Sequence, residues 1–124
     1  MAYKSEFSVM ARDYNESDRR TRRVASGLSN VELGKELERL AVEAEMRCHY
    51  SGIPLTLDSR DSFKISFDRI DNSKGHTLDN MVVTSKLMNL LRNDTPYDQW
   101  VAEAQWVGGR LLEMAQGWAP NGHN

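Results

Sequence analysis

The stretch from Phe67 to Arg92, FDRIDNSKGHTLDNMVVTSKLMNLLR, decides the fold. From Lys64 to Ile70 the chain alternates, with Ile65, Phe67 and Arg69 on one side and Ser66, Asp68 and Ile70 on the other, the period of a strand. Phe67 then faces the core and Asp68 a cleft, because successive strand side chains point opposite ways. Asn72-Ser73-Lys74-Gly75 is a loop signature, with Gly75 free to take a positive φ. Met81-Val82-Val83 reads as a second short strand, and Thr84 as the N-cap of a helix reaching about Arg92. Leu87, Leu90 and Leu91 are its expected buried face, and Asn89 projects from another side. A carboxylate on a strand and an amide on a helix offer oxygen donors of the kind a hard divalent cation takes.

This pattern resembles the HNH endonucleases of the ββα-metal (His-Me finger) superfamily, particularly the small phage-encoded forms whose last His is replaced by Asn. The resemblance covers about residues 48–100. It implies that Asp68 binds a divalent cation, Mg²⁺ or Mn²⁺, that Asn80 fixes the loop, and that Asn89, nine positions further on, completes the metal site. It implies hydrolysis of phosphodiesters in double-stranded DNA. Where the family keeps its general-base His, this chain has Arg69. A guanidinium stays protonated near neutral pH and cannot take a proton from water. It can instead grip a phosphate through its planar fork. Three replacements for the base stay open: Asp71, His76 across the turn, and water held by the metal with no side-chain base. Asp71 occupies the slot that holds His in the related Asp-Arg-Gly-His nucleases. His76 stands where related phage proteins tend to carry Tyr, so a flat ring packed beside the strand is its competing reading.

Upstream, Arg19, Arg20, Arg22 and Arg23 crowd into five residues, diluted by Asp13, Glu16 and Asp18. Residues 1–28 thus read as a basic arm or a short helix with a solvated face. With Arg69 and Lys74 these arginines are the candidate nucleic-acid contacts. Ser29 and Glu32 form a capping box, and Val31, Leu33, Leu37, Leu40, Ala41 and Ala44 recur at helical spacing. Residues 29–47 are therefore a scaffold helix, ending near Met46. The segment Cys48-His49-Tyr50-Ser51-Gly52 keeps one cysteine of the Cys-x-x-Cys-Gly knuckle in which many HNH proteins hold zinc. One Cys and three scattered His make no tetrahedral set, so no structural zinc is expected. A tight hairpin into Ile53-Pro54-Leu55 is expected, with Cys48 buried and His49 at the surface or half-buried.

Downstream, a helix over 95–118 opens with Thr95 as N-cap, Pro96 at its first position and Asp98 in its first turn. Trp100, Val101, Ala104, Val107, Leu111, Leu112 and Ala115 form its apolar stripe. Gly108-Gly109 either bends it or admits another backbone, and Trp106 and Trp118 pack or lie exposed. The tail 119–124 reads as disordered.

At 124 residues, 40% hydrophobic and 27% charged, the composition is that of one globular domain. A net charge of −2 runs against a non-specific DNA binder, which ordinarily shows a basic surface. No signal-peptide pattern opens the chain and no apolar run approaches a membrane span, so a cytoplasmic protein with no membrane partner is expected, in the host cell if phage-encoded. The fold expected is α+β, a ββα-metal core over 48–94 between flanking N- and C-terminal helices. The alternative to a nuclease is a catalytically degenerate HNH-fold protein that binds nucleic acid or inhibits a protein partner. The missing His and the acidic balance favour it. A structural subunit of a larger assembly is a third reading.

Overall fold

The computed structural model describes residues 2–117, and the side chains of residues 6–110 and 113. Helix α1 (Ala2–Thr21) is far longer than the arm or short helix expected. Its reason is a stripe spaced by threes and fours: Phe7, Met10, Ala11 and Asp18 are buried, and Tyr14 packs against the core. Helix α2 (Asn30–Glu43) begins as the sequence requires. Ser29 Oγ accepts the Glu32 N–H and the Glu32 carboxylate accepts the Ser29 N–H, each at 3.1 Å. Leu33, Leu37 and Ala41 are its buried face, whereas Val31 turns outward. Gly34 lets α1 come close: a Cβ there would lie 3.2 Å from Ser8 Cα.

A tight turn follows α2. The Cys48 N–H donates to Ile53 O at 3.0 Å and the Gly52 N–H to Cys48 O at 2.8 Å, with Gly52 at φ 73, where glycine carries no Cβ penalty. Cys48 is buried and His49 exposed.

Strand β1 (Ile65–Arg69) pairs antiparallel with β2 (Met81–Ser85), matching Ile65 with Ser85, Phe67 with Val83 and Arg69 with Met81. Helix α3 (Lys86–Arg92) follows without a linker. Two expectations fail here together. Thr84 is still strand, fully buried with its hydroxyl 3.4 Å from Cys48 Sγ, and Ser85 caps α3 by accepting the Met88 N–H at 3.0 Å. Starting the helix one residue later rotates its inner face by about 100°. Met88 and Arg92, four apart, are therefore buried, while Leu90 (69% exposed) and Leu91 (51%) face outward.

Helix α4 (Tyr97–Gly117) starts just past Pro96, whose carbonyl accepts the Trp100 N–H at 2.9 Å. Thr95 thus lies one residue further out than its expected capping place. Trp100 and Ala104 are buried and Val107 packs beside them, whereas Trp106 is exposed. Gly108 admits another backbone, since a Cβ there would approach Tyr50 O to 2.8 Å. The side chains of Leu111, Leu112 and Ala115 lie outside the described residues, as do Trp118 and the tail.

The class is α+β: four helices and a two-stranded antiparallel sheet among the described residues. No helix among them is long and apolar enough to cross a membrane.

Candidate functional site

Asp68, one residue from the end of β1, is 4% exposed. Its Oδ2 accepts the Tyr50 hydroxyl at 2.7 Å and the Arg92 guanidinium at 2.9 Å. Burial, reinforced by that bond to Asp68, pushes the Tyr50 hydroxyl well above its ordinary pKa of 10.0, so it stays a donor. Arg92, only 1% exposed, also donates to the carbonyls of Arg69, of Ile70 at 2.9 Å and of Thr95 at 3.0 Å. A buried charge persists only when it is paired, and here each side chain supplies the opposite charge for the other, on one carboxylate oxygen of Asp68. The pair ties the end of α3 to the end of β1.

Asn89, three residues before Arg92 on α3, donates through Nδ2 to Ser66 Oγ at 2.9 Å. That bond fixes the amide plane. Among the described residues neither Asn89 Oδ1 nor Asp68 Oδ1 has a hydrogen-bond partner. Asp68 and Asn89 line one cavity of about 200 Å³, together with Arg23, Arg69 and His76.

The loop between the strands is held from inside. Arg69 donates through one terminal nitrogen to Asn72 O at 2.8 Å and Lys74 O at 2.9 Å. Burial, and then the nearby Arg23, lower the Arg69 pKa from its ordinary value, an effect Asp18 and Asp68 oppose. Asn80, at the end of a 3₁₀ turn (Leu78–Asn80), accepts the Asp71 N–H at 2.8 Å and donates to Asp71 O at 3.1 Å and Gly75 O at 2.9 Å. The Lys74 side chain is exposed at the tip.

Gly75 is not at positive φ, contrary to expectation. It is glycine because α1 and the segment after it come too close: a Cβ would lie 2.5 Å from the Asp18 carboxylate carbon and against Val24 O.

His76 and Asp71 part company. The His76 ring stacks on Tyr14 with centroids 4.0 Å apart and planes 7° from parallel. Its Nδ1 lies 3.0 and 3.2 Å from the two Asp18 carboxylate oxygens, and its backbone N–H donates to Asp18 Oδ2 at 2.7 Å. Asp18 is 0% exposed. Burial holds the ring below its ordinary 6.5 despite the pull of Asp18. Asp71 is exposed, and its carboxylate takes the Ser73 N–H at 2.9 Å and hydroxyl at 2.7 Å, which keeps it below the ordinary carboxylate value. It borders a different cavity, near Asp94, Tyr97 and Asp98, and does not line the one that Asp68 and Asn89 share.

Of the basic cluster, Arg19, Arg20 and Arg22 are exposed around the end of α1, and Arg23 alone lines the cavity. Four further residues of the site were not singled out in sequence: Tyr14, Asp18, Tyr50 and Arg92. Tyr14 and Asp18 continue the stripe of Phe7, Met10 and Ala11, and a carboxylate on an apolar helix face is the signal that could have found them. Arg92 reads as an ordinary cation at a helix C-terminus.

No group of three or more His, Cys, Asp or Glu side chains among the described residues could hold a metal. The available donors are instead two oxygens, Asp68 Oδ1 and Asn89 Oδ1, beside a cavity with room for water. That set suits a hard cation that keeps several waters, such as Mg²⁺. Compared with family models, curated proteins and solved structures, the chain matches none.

Proposed function

We propose that β1, β2 and α3 form the ββα-metal core of an HNH-type, divalent-metal-dependent DNA endonuclease. The supporting observation is that Asp68 and Asn89, from strand and helix, meet at one cavity that Arg23 and Arg69 also line. Asp68 Oδ1 and Asn89 Oδ1 would hold the cation, while Tyr50 and Arg92 fix the carboxylate by its other oxygen. When bound, Mg²⁺ or Mn²⁺ supplies positive charge to the phosphate and its leaving oxygen. Arg23 and Arg69 set two cations at the cavity wall for the phosphodiester, a local concentration that answers the overall charge of −2.

Plasmid DNA incubated with the protein and Mg²⁺ or Mn²⁺, with and without chelator, tests this. Nicking that chelator abolishes, and that Asp68→Asn abolishes in a chain with unchanged circular dichroism, is expected. Absence of nicking by folded parent with either ion overturns it.

The Arg92–Asp68 pair favours a second reading, because it offsets the charge of the proposed metal-binding carboxylate. On that reading the chain is a non-hydrolytic protein of the same architecture that binds nucleic acid or inhibits a protein partner. If nucleic acid is what it binds, the DNA shows a mobility shift without nicking.

A further inference from the structure

Arg69 leaves open which group takes a proton from water, and three observations converge on one answer. The first is the orientation of the His76 ring. A buried carboxylate bonded to one ring nitrogen puts the proton on that nitrogen and leaves the other as a bare acceptor. Asp18 does this at Nδ1, and its grip on the His76 N–H fixes the backbone as well. The second is rigidity. The Tyr14 face at 4.0 Å holds the ring plane, and Tyr14 is itself held by the Phe67 N–H, which donates to its hydroxyl at 3.2 Å. The third is access. The described side-chain polar atoms that are sealed without a partner are Thr56 Oγ1 and Trp100 Nε1. His76 Nε2 also has no partner but is not sealed, and His76 lines the cavity shared with Asp68 and Asn89. A residue that lines that cavity thus carries an accessible, unpartnered ring nitrogen.

We propose that His76, positioned by Asp18 and Tyr14 of α1, is the general base that accepts the proton of the water attacking a DNA phosphodiester in this cavity. The base is thus supplied by the turn between the strands and oriented by the N-terminal helix, not by the residue following Asp68. The inference rests on the endonuclease reading. In the step, the water oxygen bonds to phosphorus as its proton passes to Nε2. The phosphorus–oxygen bond to the leaving strand breaks, that oxygen takes a proton from solvent, and His76 returns its own to solvent. The ring is unprotonated at neutral pH because burial disfavours its charged form. Asp71, bonded to Ser73 and lining another cavity, is out of position for the same work.

His76→Asn is the informative variant, since its amide can replace the Nδ1 bond to Asp18 while nothing replaces Nε2. Its single-turnover nicking rate should fall roughly 10²–10⁴-fold, with DNA affinity and melting temperature near the parent's. His76→Gly should regain at least about tenfold in rate with added imidazole, which a purely structural ring would not give. Asp18→Asn should also slow nicking, as an amide no longer enforces the tautomer. Nitrogen-15 NMR of the folded parent should show His76 protonated at Nδ1, independently of any cleavage. A parent that nicks while His76→Asn nicks equally fast overturns this inference and leaves the nuclease reading standing. Protonation at Nε2 overturns it whatever the assay shows. A folded parent that never nicks removes both.

Discussion

At Asn80 a single amide meets three backbone groups, two on Asp71 and one on Gly75, and so closes the loop that carries Arg69 on one side and His76 on the other. Asn80→Ala should lower stability by roughly 1–3 kcal/mol, the cost of stranding buried polar groups, and should lower any nicking with it. Urea unfolding with an unchanged midpoint would contradict this. His76 gives a second prediction, on pH. Burial lowers its folded pKa, with Arg69 and Arg23 adding to the effect and Asp18 opposing it. As pH falls, the unfolded chain therefore takes up the proton first. The stability present above about pH 6.5 declines as pH drops through that value, and levels off once the folded ring protonates too. Between about pH 7.5 and 5.5 the parent should lose more melting temperature than His76→Asn. Equal losses would mean that the ring's proton affinity does not change on folding. Asn80 was legible in sequence because its spacing to Asp68 and Asn89 carries a pattern. Arg92 was not, because its burial depends on Asp68, Ile70 and Thr95 converging from other elements.

The same division holds among the elements. The start of helix α2 was legible to the residue because its capping box is a local event, two bonds between Ser29 and Glu32. Its end falls at Glu43 and not near Met46, where the chain turns into the Cys48–Ile53 hairpin. Helix α3 was legible only in outline. Its leucines suggest a buried face, but which face turns inward depends on where β2 stops, and that is set by pairing with β1 across the loop. The offset has measurable consequences. Ser85→Ala should cost about 1 kcal/mol as loss of an N-cap. Met88→Ala should cost roughly 2–5 kcal/mol as a core truncation, whereas Leu90→Lys should change stability by no more than about 0.5 kcal/mol. Denaturant titration of the three variants orders them. A Leu90→Lys loss as large as that of Met88→Ala would return the leucines to the core.

Across the whole molecule, the part least legible in sequence is the part that completes the cavity. Residues 1–28 stand out in sequence by the cluster Arg19, Arg20, Arg22 and Arg23, and a charged run ordinarily means a solvated arm. In the fold, α1 is a wall of the protein. Phe7 and Tyr14 meet Phe67 edge to face at 6.4 and 6.3 Å, Met10 and Ala11 join the same core as Leu33 and Leu37, and Asp18 is buried under the turn that carries His76. A sheet of only two strands needs such cover, because a lone hairpin is marginal in water. An arm can be removed without harm to the core it extends from; a wall cannot. Deleting residues 2–21 should therefore abolish cooperative thermal unfolding and not merely weaken DNA binding. The milder Phe7→Ala should cost roughly 3–5 kcal/mol. Calorimetry distinguishes the two cases, for a truncated chain that still melts in one sharp transition near the parent's temperature would make α1 an appendage and leave His76 without the helix that orients it.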